Sequence, residues 1–314
     1  MLNSSLRSTH RRAVRVVVLV AIALLSSAAG SAAGSHSLVA VAGEPVMRVP
    51  DTLRGRSGRL LFRILRSDAD RALEVEPLAR LFGPDALNRP GLLAVRDSIT
   101  AEPFHFAALV PFAQKHDGRV GVYRVGRWPG EVRRPRGDAY RIPEGFIAVT
   151  DSMRPVRVST HFTIGQFLTK DQRDVWPKML LLDERLVDKL ELVVSELRLA
   201  GIKAPGLEVL SGFRTPQYNA RGKNAGRATD SRHQYGDAAD VYVDANGDGR
   251  MDDITRDGKV DIRDAVRLAR IVESVERKYP DIQGGLGVYR ATGSHGPFVH
   301  IDARGERARW GFPQ

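Results

Sequence analysis

The most regular apolar pattern in the chain runs from Asp183 to Ala200, where Leu186, Val187, Leu190, Val193, Val194 and Leu197 recur at helical spacing. That stripe predicts a helix with one buried face, opened by Asp183 as N-cap and closed by a left-handed Gly201. A second helix is predicted from Asp261 or Ile262 to Tyr279, with Ala265, Leu268, Ala269, Val272 and Val275 on one side and Pro280 as its stop. Short apolar runs predict strands at Leu207–Leu210, in AADVYVD (238–244) and, after GGLGVYR (284–290) and a GSHGP loop, in FVHID (298–302). In the last of these Phe298, His300 and Asp302 share one face, and a face carrying His and Asp suits a cleft better than a core.

Before residue 158 the periodicity is weaker. The run at 60–82 predicts a strand followed by a helix. PFHFAALVPF (103–112) and RVGVYRVGRW (119–128) predict two strands paired around an Asp117-Gly118 turn, and GFIAVT (145–150) a further short strand. At the N-terminus, Arg7, Arg11, Arg12 and Arg15 precede an apolar run from Val16 to Leu25 and then SSAAGSAAGS. That order predicts an export signal, cleaved or retained as an anchor, and puts the body of the protein in the periplasm, the cell envelope or the extracellular space. The predicted organisation is a signal peptide or anchor over 1–34, an accessory segment over 35–100 and a β-rich accessory domain over 101–157. An α+β domain over 158–314 follows, a small and mainly antiparallel sheet with flanking helices.

Composition narrows the chemistry. The 314 residues contain no cysteine, which excludes disulfides, thiolate zinc sites, iron–sulfur clusters and a cysteine nucleophile. A transition-metal site must then use His, Asp and Glu. The formal charge of +11 favours an anionic partner, although an Arg-rich genome gives the same excess. No basic helix or aromatic-spaced basic motif points to nucleic acid.

His233 and Asp240 stand seven residues apart around a Gly-containing turn. With His300 as a third ligand they supply the three protein donors of an open zinc site, and a satisfied structural His–Asp pair has the same spacing. Directly downstream, Asp244, Asn246, Asp248, the Arg250 carbonyl and Asp252 follow the oxygen-ligand order of a calcium loop, with Gly249 at the turn. Thr255 takes the place of the usual last carboxylate. An overlapping register uses Asp253, Thr255, Asp257, the Lys259 carbonyl, Asp261 and Asp264, with Gly258 at the turn, and leads into the second helix. The plain alternative is a solvated acidic turn.

SGFRTPQYN (211–219), SRHQYGDAAD (231–240) and FVHID together resemble the zinc D-alanyl-D-alanine carboxypeptidases and murein endopeptidases, whose fold is shared with the hedgehog signalling domain. HFTIGQF (161–167) is also similar to that family, so the resemblance covers roughly the last half of the chain. It implies Zn2+ on His233, Asp240 and His300, and a metallopeptidase acting on peptidoglycan stem peptides. It also implies that Arg214 sits at the cleft, helping the oxyanion or pinning the loop by a salt bridge. Many relatives place an acid or His two or three residues before the last ligand, where this chain has Pro297 and Phe298. The remaining candidates for the base are His295 and Asp302, and Asp302 is equally suited to orienting a ligand. A metal-stabilised wall-binding module without turnover is the alternative. The acidic insert resembles an EF-hand-like or dockerin-like unit, implying structural Ca2+.

Overall fold

In a computed structural model, residues 44–66, 72–222 and 227–313 are described. The expected export segment lies outside them. Among the described residues no helix is long and apolar enough to cross a membrane.

The chain builds a mixed α+β architecture of several small sheets with flanking helices. Val46–Met47 (β1), Phe62–Leu65 (β2), helix α1 (Ala72–Phe82), Gly91–Asp97 (β3) and Pro103–Ala108 (β4) come first, the strands ordered β1-β3-β4-β2. Val49, Leu53, Leu65, Leu78, Val95, Phe104, Phe106 and Ala108 form a small core of their own there. The strand and helix expected within 60–82 are both present.

The hairpin expected across Asp117-Gly118 is not. β4 is flanked on both edges by β3 and β2, so it has no free edge for the segment after the turn. The apolar run breaks at Leu109, and Val110–Pro111 (β5) leaves to pair elsewhere. Asp117 and Gly118 do turn, at φ 46° and 72°, but they close only a His116–Arg119 bridge. Arg119–Val120 (β6) and Tyr123–Arg124 (β7) then pair with each other, and Gly145–Val149 (β8) joins β5 to Lys178–Leu180 (β9). Alternation names a strand; it does not name its neighbour.

Helix α2 spans Glu184–Leu199, with the Asp183 carboxylate accepting the Arg185 N–H as N-cap and Gly201 at φ 71°. Its apolar stripe enters the main core. Fully burying each Leu or Val contributes roughly 1.5–3 kcal/mol before entropy is counted. A second face was not foreseen. Glu184, Asp188 and Glu191 lie at helical spacing and all three are buried. Asp188 accepts the N–H groups of Arg56 and Ser57 at 2.7 and 2.9 Å, and Glu191 accepts the N–H and Nδ1–H of His161, both at 2.7 Å. Glu184 binds Arg63 at 2.8 Å and the Ile64 N–H. These carboxylates read as a solvent face in the sequence. They are instead the seam along which the N-terminal segments attach.

The last strands and helices are Glu208–Ser211 (β10), Pro216–Arg221 (α3), Ala238–Tyr242 (β11), Ile262–Lys278 (α4), Gly285–Tyr289 (β12), Phe298–Asp302 (β13) and Ala308–Trp310 (β14). The sheet order is β10-β11-β13-β12-β14, antiparallel except for the β12–β14 pair. Helix α4 packs on β12 and β13, and α2 packs on α4. That leaves the opposite face of β11 and β13 to carry polar side chains.

Candidate metal centre

The register of β11 against β13 puts Asp240 directly opposite His300. His233 arrives from the short 3-10 turn Arg232–Tyr235, which precedes β11. The three sequence-predicted ligands meet: His233 Nε2 lies 3.1 Å from both Asp240 Oδ1 and His300 Nδ1, and His300 Nδ1 lies 3.0 Å from Asp240 Oδ1. All three side chains are buried. Among the described residues no other set of three His, Asp or Glu side chains converges closely enough to hold an ion.

Both imidazoles are fixed by what their other nitrogens meet. His233 Nδ1 lies 2.6 Å from the Gly212 carbonyl, which can only accept, so Nδ1 carries the proton and Nε2 offers its lone pair. His300 Nε2 lies 3.2 Å from Asp302 Oδ2 and donates to it, which turns Nδ1 toward the cluster. A carboxylate or carbonyl behind each ligand His is the usual means of orienting one. Two donors about 2.0–2.1 Å from a tetrahedral zinc stand about 3.3 Å apart. The observed triangle is within a few tenths of an ångström of that, and one carboxylate with two oriented imidazoles suits a divalent metal such as Zn2+.

The backbone behind the ligands is held by close approaches. Gly212 lies so near Phe167 that a Cβ would come within 2.6 Å of its Cα, and the Phe213 N–H donates to the Phe167 carbonyl at 2.9 Å. Phe167 ends the 3-10 turn Ile164–Phe167, fixed by a Thr163–Gln166 capping box. HFTIGQF therefore positions the carbonyl that orients His233. Gly236, at φ 75°, lets the turn between His233 and Asp240 lie against Leu181, whose backbone a Cβ would meet at 2.4 Å.

Charge is distributed in layers. Burial alone would raise the pKa of Asp240; His233, His300 and Arg214 outweigh it and hold the carboxyl well below its ordinary value. Burial lowers that of His233. For His300 burial also pulls down, but hydrogen bonds to Asp240 and Asp302 win and raise it. Arg214 pairs with Asp240 Oδ2, and its Nε donates to Ser211 Oγ at 2.8 Å. The guanidinium thus grips the outer oxygen of the carboxylate whose inner oxygen faces the imidazoles.

No protein-family model, curated protein or solved structure matches the chain.

The remaining candidates separate by what their atoms already hold. Asp302 is fully buried, and its oxygens accept from His300 Nε2, the Gly285 N–H at 2.7 Å and the Arg304 guanidinium. Its backbone carbonyl accepts from Lys189 Nζ at 2.7 Å, and Lys189 also pairs with Glu276 at 2.5 Å. His295 is half-buried and edge-on to Phe298 at 4.9 Å; its Nδ1 donates to the Gly296 carbonyl at 2.8 Å, which leaves Nε2 as a lone pair. Phe298 is a buried wall stacked on Tyr289 at 4.6 Å.

An aromatic side of the site escaped sequence reasoning. Trp310 lies on His300 with ring centroids 5.2 Å apart, in space that Gly287 leaves open, and its Nε1–H donates to the Tyr289 hydroxyl at 2.9 Å. Gly287 stands opposite His300 in register, so the missing side chain in GLGVY was the available signal. Lys189, set among the apolar positions of α2, was another.

The acidic loops form two turns of one design. Asp244 Oδ1 accepts the N–H groups of Gly247 and Asp248 and its Oδ2 that of Gly249; Asp253 does the same for Arg256, Asp257 and Gly258. Asp248 and Asp257 accept the N–H of Arg250 and Lys259. Asp252 accepts the Ala245 N–H, Asn246 that of Asp248, and Asp264 those of Thr255 and Asp261. Asp261 caps α4. These carboxylates bind backbone, which accounts for the turns without an ion.

Proposed function

We propose that the chain is a zinc-dependent peptidase that hydrolyses peptide bonds of peptidoglycan stem peptides, with the hedgehog-type peptidase fold its motifs resemble. The observation that carries this reading is the convergence of His233 Nε2, His300 Nδ1 and Asp240 Oδ1, with both imidazoles turned inward by Gly212 and Asp302. When bound, the metal supplies Lewis acidity, lowering the pKa of a water and polarising the scissile carbonyl. Arg214 aims Asp240 by pairing with its outer oxygen, and its guanidinium adds positive charge beside the developing oxyanion. The Tyr289 hydroxyl accepts from Trp310, so its own O–H is free to donate to substrate. For the proton acceptor the reading takes His295, whose Nε2 lone pair has no partner among the described residues, over Asp302, whose oxygens are engaged. Asp302 is then a positioning residue. The same reading keeps Ca2+ for the acidic loops on the strength of their ligand spacing alone: an ion would have to draw together carboxylates that here accept backbone N–H groups, and calcium titrated into metal-free protein should then raise the thermal midpoint.

The test is to incubate zinc-loaded protein with purified sacculi and separate the products. New muropeptides, absent with His233→Ala, are expected. Retention on sacculi without new products would replace the enzyme by a metal-stabilised binding module.

A further inference from the structure

The segment from Arg127 to Arg141 has no part in that chemistry, yet it is built against it. It carries Arg127, Arg133, Arg134, Arg136 and Arg141, all exposed, against two acidic residues, Glu131 and Asp138. Exposed arginines add nothing to a core, and like charges this close repel one another.

The loop is held in a fixed shape. Trp128 is completely buried, its N–H donates to Glu131 at 2.6 Å, and Glu131 pairs with Lys115 at 2.5 Å. It is also clamped to the turn that presents His233. Trp128 Nε1–H donates to the Gln234 carbonyl at 2.7 Å. Arg232 lies between the rings of Tyr140 and Tyr235, at 4.7 and 4.6 Å from their centroids, and donates to the Ala139 carbonyl. Asp230 receives Arg133 and, at 3.3 Å, Arg136.

The charge is only partly compensated: Arg141 pairs with Asp138 at 2.7 Å. One carboxylate, Asp230, serves two guanidiniums, and Arg127 and Arg134 have no acidic partner among the described residues. Two arginines with free forks, Arg127 and Arg134, on a loop fixed to the residues on either side of a candidate metal ligand, are arranged for planar oxyanions on a long ligand.

We propose that the Arg127–Arg141 loop is a binding site for carboxylates of the polymer whose peptide lies in the metal site, gripping stem-peptide carboxyl groups beside the one being cut. The choice of polymer rests on the peptidase reading; the anion site rests on the loop.

The experiment measures retention of the full chain on purified sacculi across a salt series, for the unaltered protein, for Arg127→Ser with Arg134→Ser, and for His233→Ala. Because Arg127 and Arg134 have no acidic partners, the double variant should keep its thermal midpoint and zinc content. It should bind about 10-fold more weakly at low salt and respond less to added salt, since each exposed Arg–carboxylate pair contributes modestly and is screened. His233→Ala should bind like the unaltered protein. Sacculi whose stem carboxyls have been amidated should retain both proteins poorly. Equal retention of the double variant overturns the proposal, and so does unaltered retention on amidated sacculi. If stripping wall-attached phosphate polymer abolishes binding, a carboxylate site is likewise overturned. If the protein forms no muropeptides but the double variant still loses carboxylate-dependent retention, the peptidase reading falls and the loop site stands.

Discussion

At the scale of single residues the site is a matter of which lone pairs are already engaged. His233→Ala removes one donor and leaves Asp240 buried beside Arg214 and His300, so stoichiometric zinc should be lost on dialysis while the far-ultraviolet spectrum stays native; metal analysis of the dialysed variant checks this. His295→Gln should behave in the opposite way. It removes the free Nε2 lone pair without touching the three donors, so zinc stays bound while turnover falls by about 100-fold or more. A variant with full turnover would return the acceptor role to another group. His233 and Asp240 were legible because their motif fixes residue type and spacing locally, and His300 because FVHID resembles the strand that carries the family's last ligand. Trp310 and Tyr289 were not, although they lie close to His300 in the chain, because only strand register and the bare Gly287 bring them to it. Trp128 was not because it comes from a distant part of the chain. Nothing near Trp128 in the sequence announces that its Nε1–H will meet the Gln234 carbonyl.

At the scale of elements, periodicity predicted α2 and α4 almost to the residue, since caps and stripes are local signals. Many strands were legible too, but β1, β3, β9, β12 and β14 carried no pattern that named them, and the partners of those that were legible were not, as β4 and β5 demonstrate. The buried carboxylates of α2 mark a further boundary of sequence reading. Glu184, Asp188 and Glu191 have the composition of a solvent face, and only the approach of Arg56, Ser57, Ile64 and His161 turns them into a seam. The connection between His233 and β11 gives a test at this scale. Gly236→Ala asks a residue with a Cβ to adopt φ 75° and to push into Leu181. It should cost more than about 2 kcal/mol in urea unfolding and weaken zinc binding, because the displaced turn carries His233. Asp183→Ala, which removes the α2 cap and the pairing of its carboxylate with the exposed Arg185 guanidinium, should cost about 1 kcal/mol and leave zinc binding intact. Comparing the two separates general loss of stability from displacement of the ligand turn.

At the scale of the whole molecule two cores of unequal size share one chain, and the smaller depends on a buried charge. Asp97 ends β3 beneath the small core, where its carboxylate accepts the Val49 N–H at 3.4 Å, the Ile99 N–H and the Thr100 hydroxyl, each at 3.1 Å, and the Arg54 guanidinium. Burial by itself would raise its pKa. The N–H groups of Ile99 and Val49, with Arg54 and Thr100, outweigh burial and lower it from the ordinary 3.8. The sign follows from linkage. A carboxyl whose folded pKa lies below its unfolded one stabilises the fold fully above the unfolded value, and that contribution disappears as pH falls through the folded pKa. Acid should therefore loosen the β1–β4 sheet, and Asp97→Asn, neutral at every pH, should flatten that limb of the stability curve. Glu184, at the seam with α2, has the opposite sign: burial raises its pKa, so its protonated form is the one the fold favours and acid does not weaken it. Acidification of the unaltered protein should therefore raise amide exchange in β3 and β4, and Asp97→Asn should show a smaller rise there. The sheet that carries β11 and β13 has an acid response of its own, because Asp240 is likewise held below its ordinary pKa. An unchanged acid limb in Asp97→Asn would mean that the small core has no acid-sensitive step of its own.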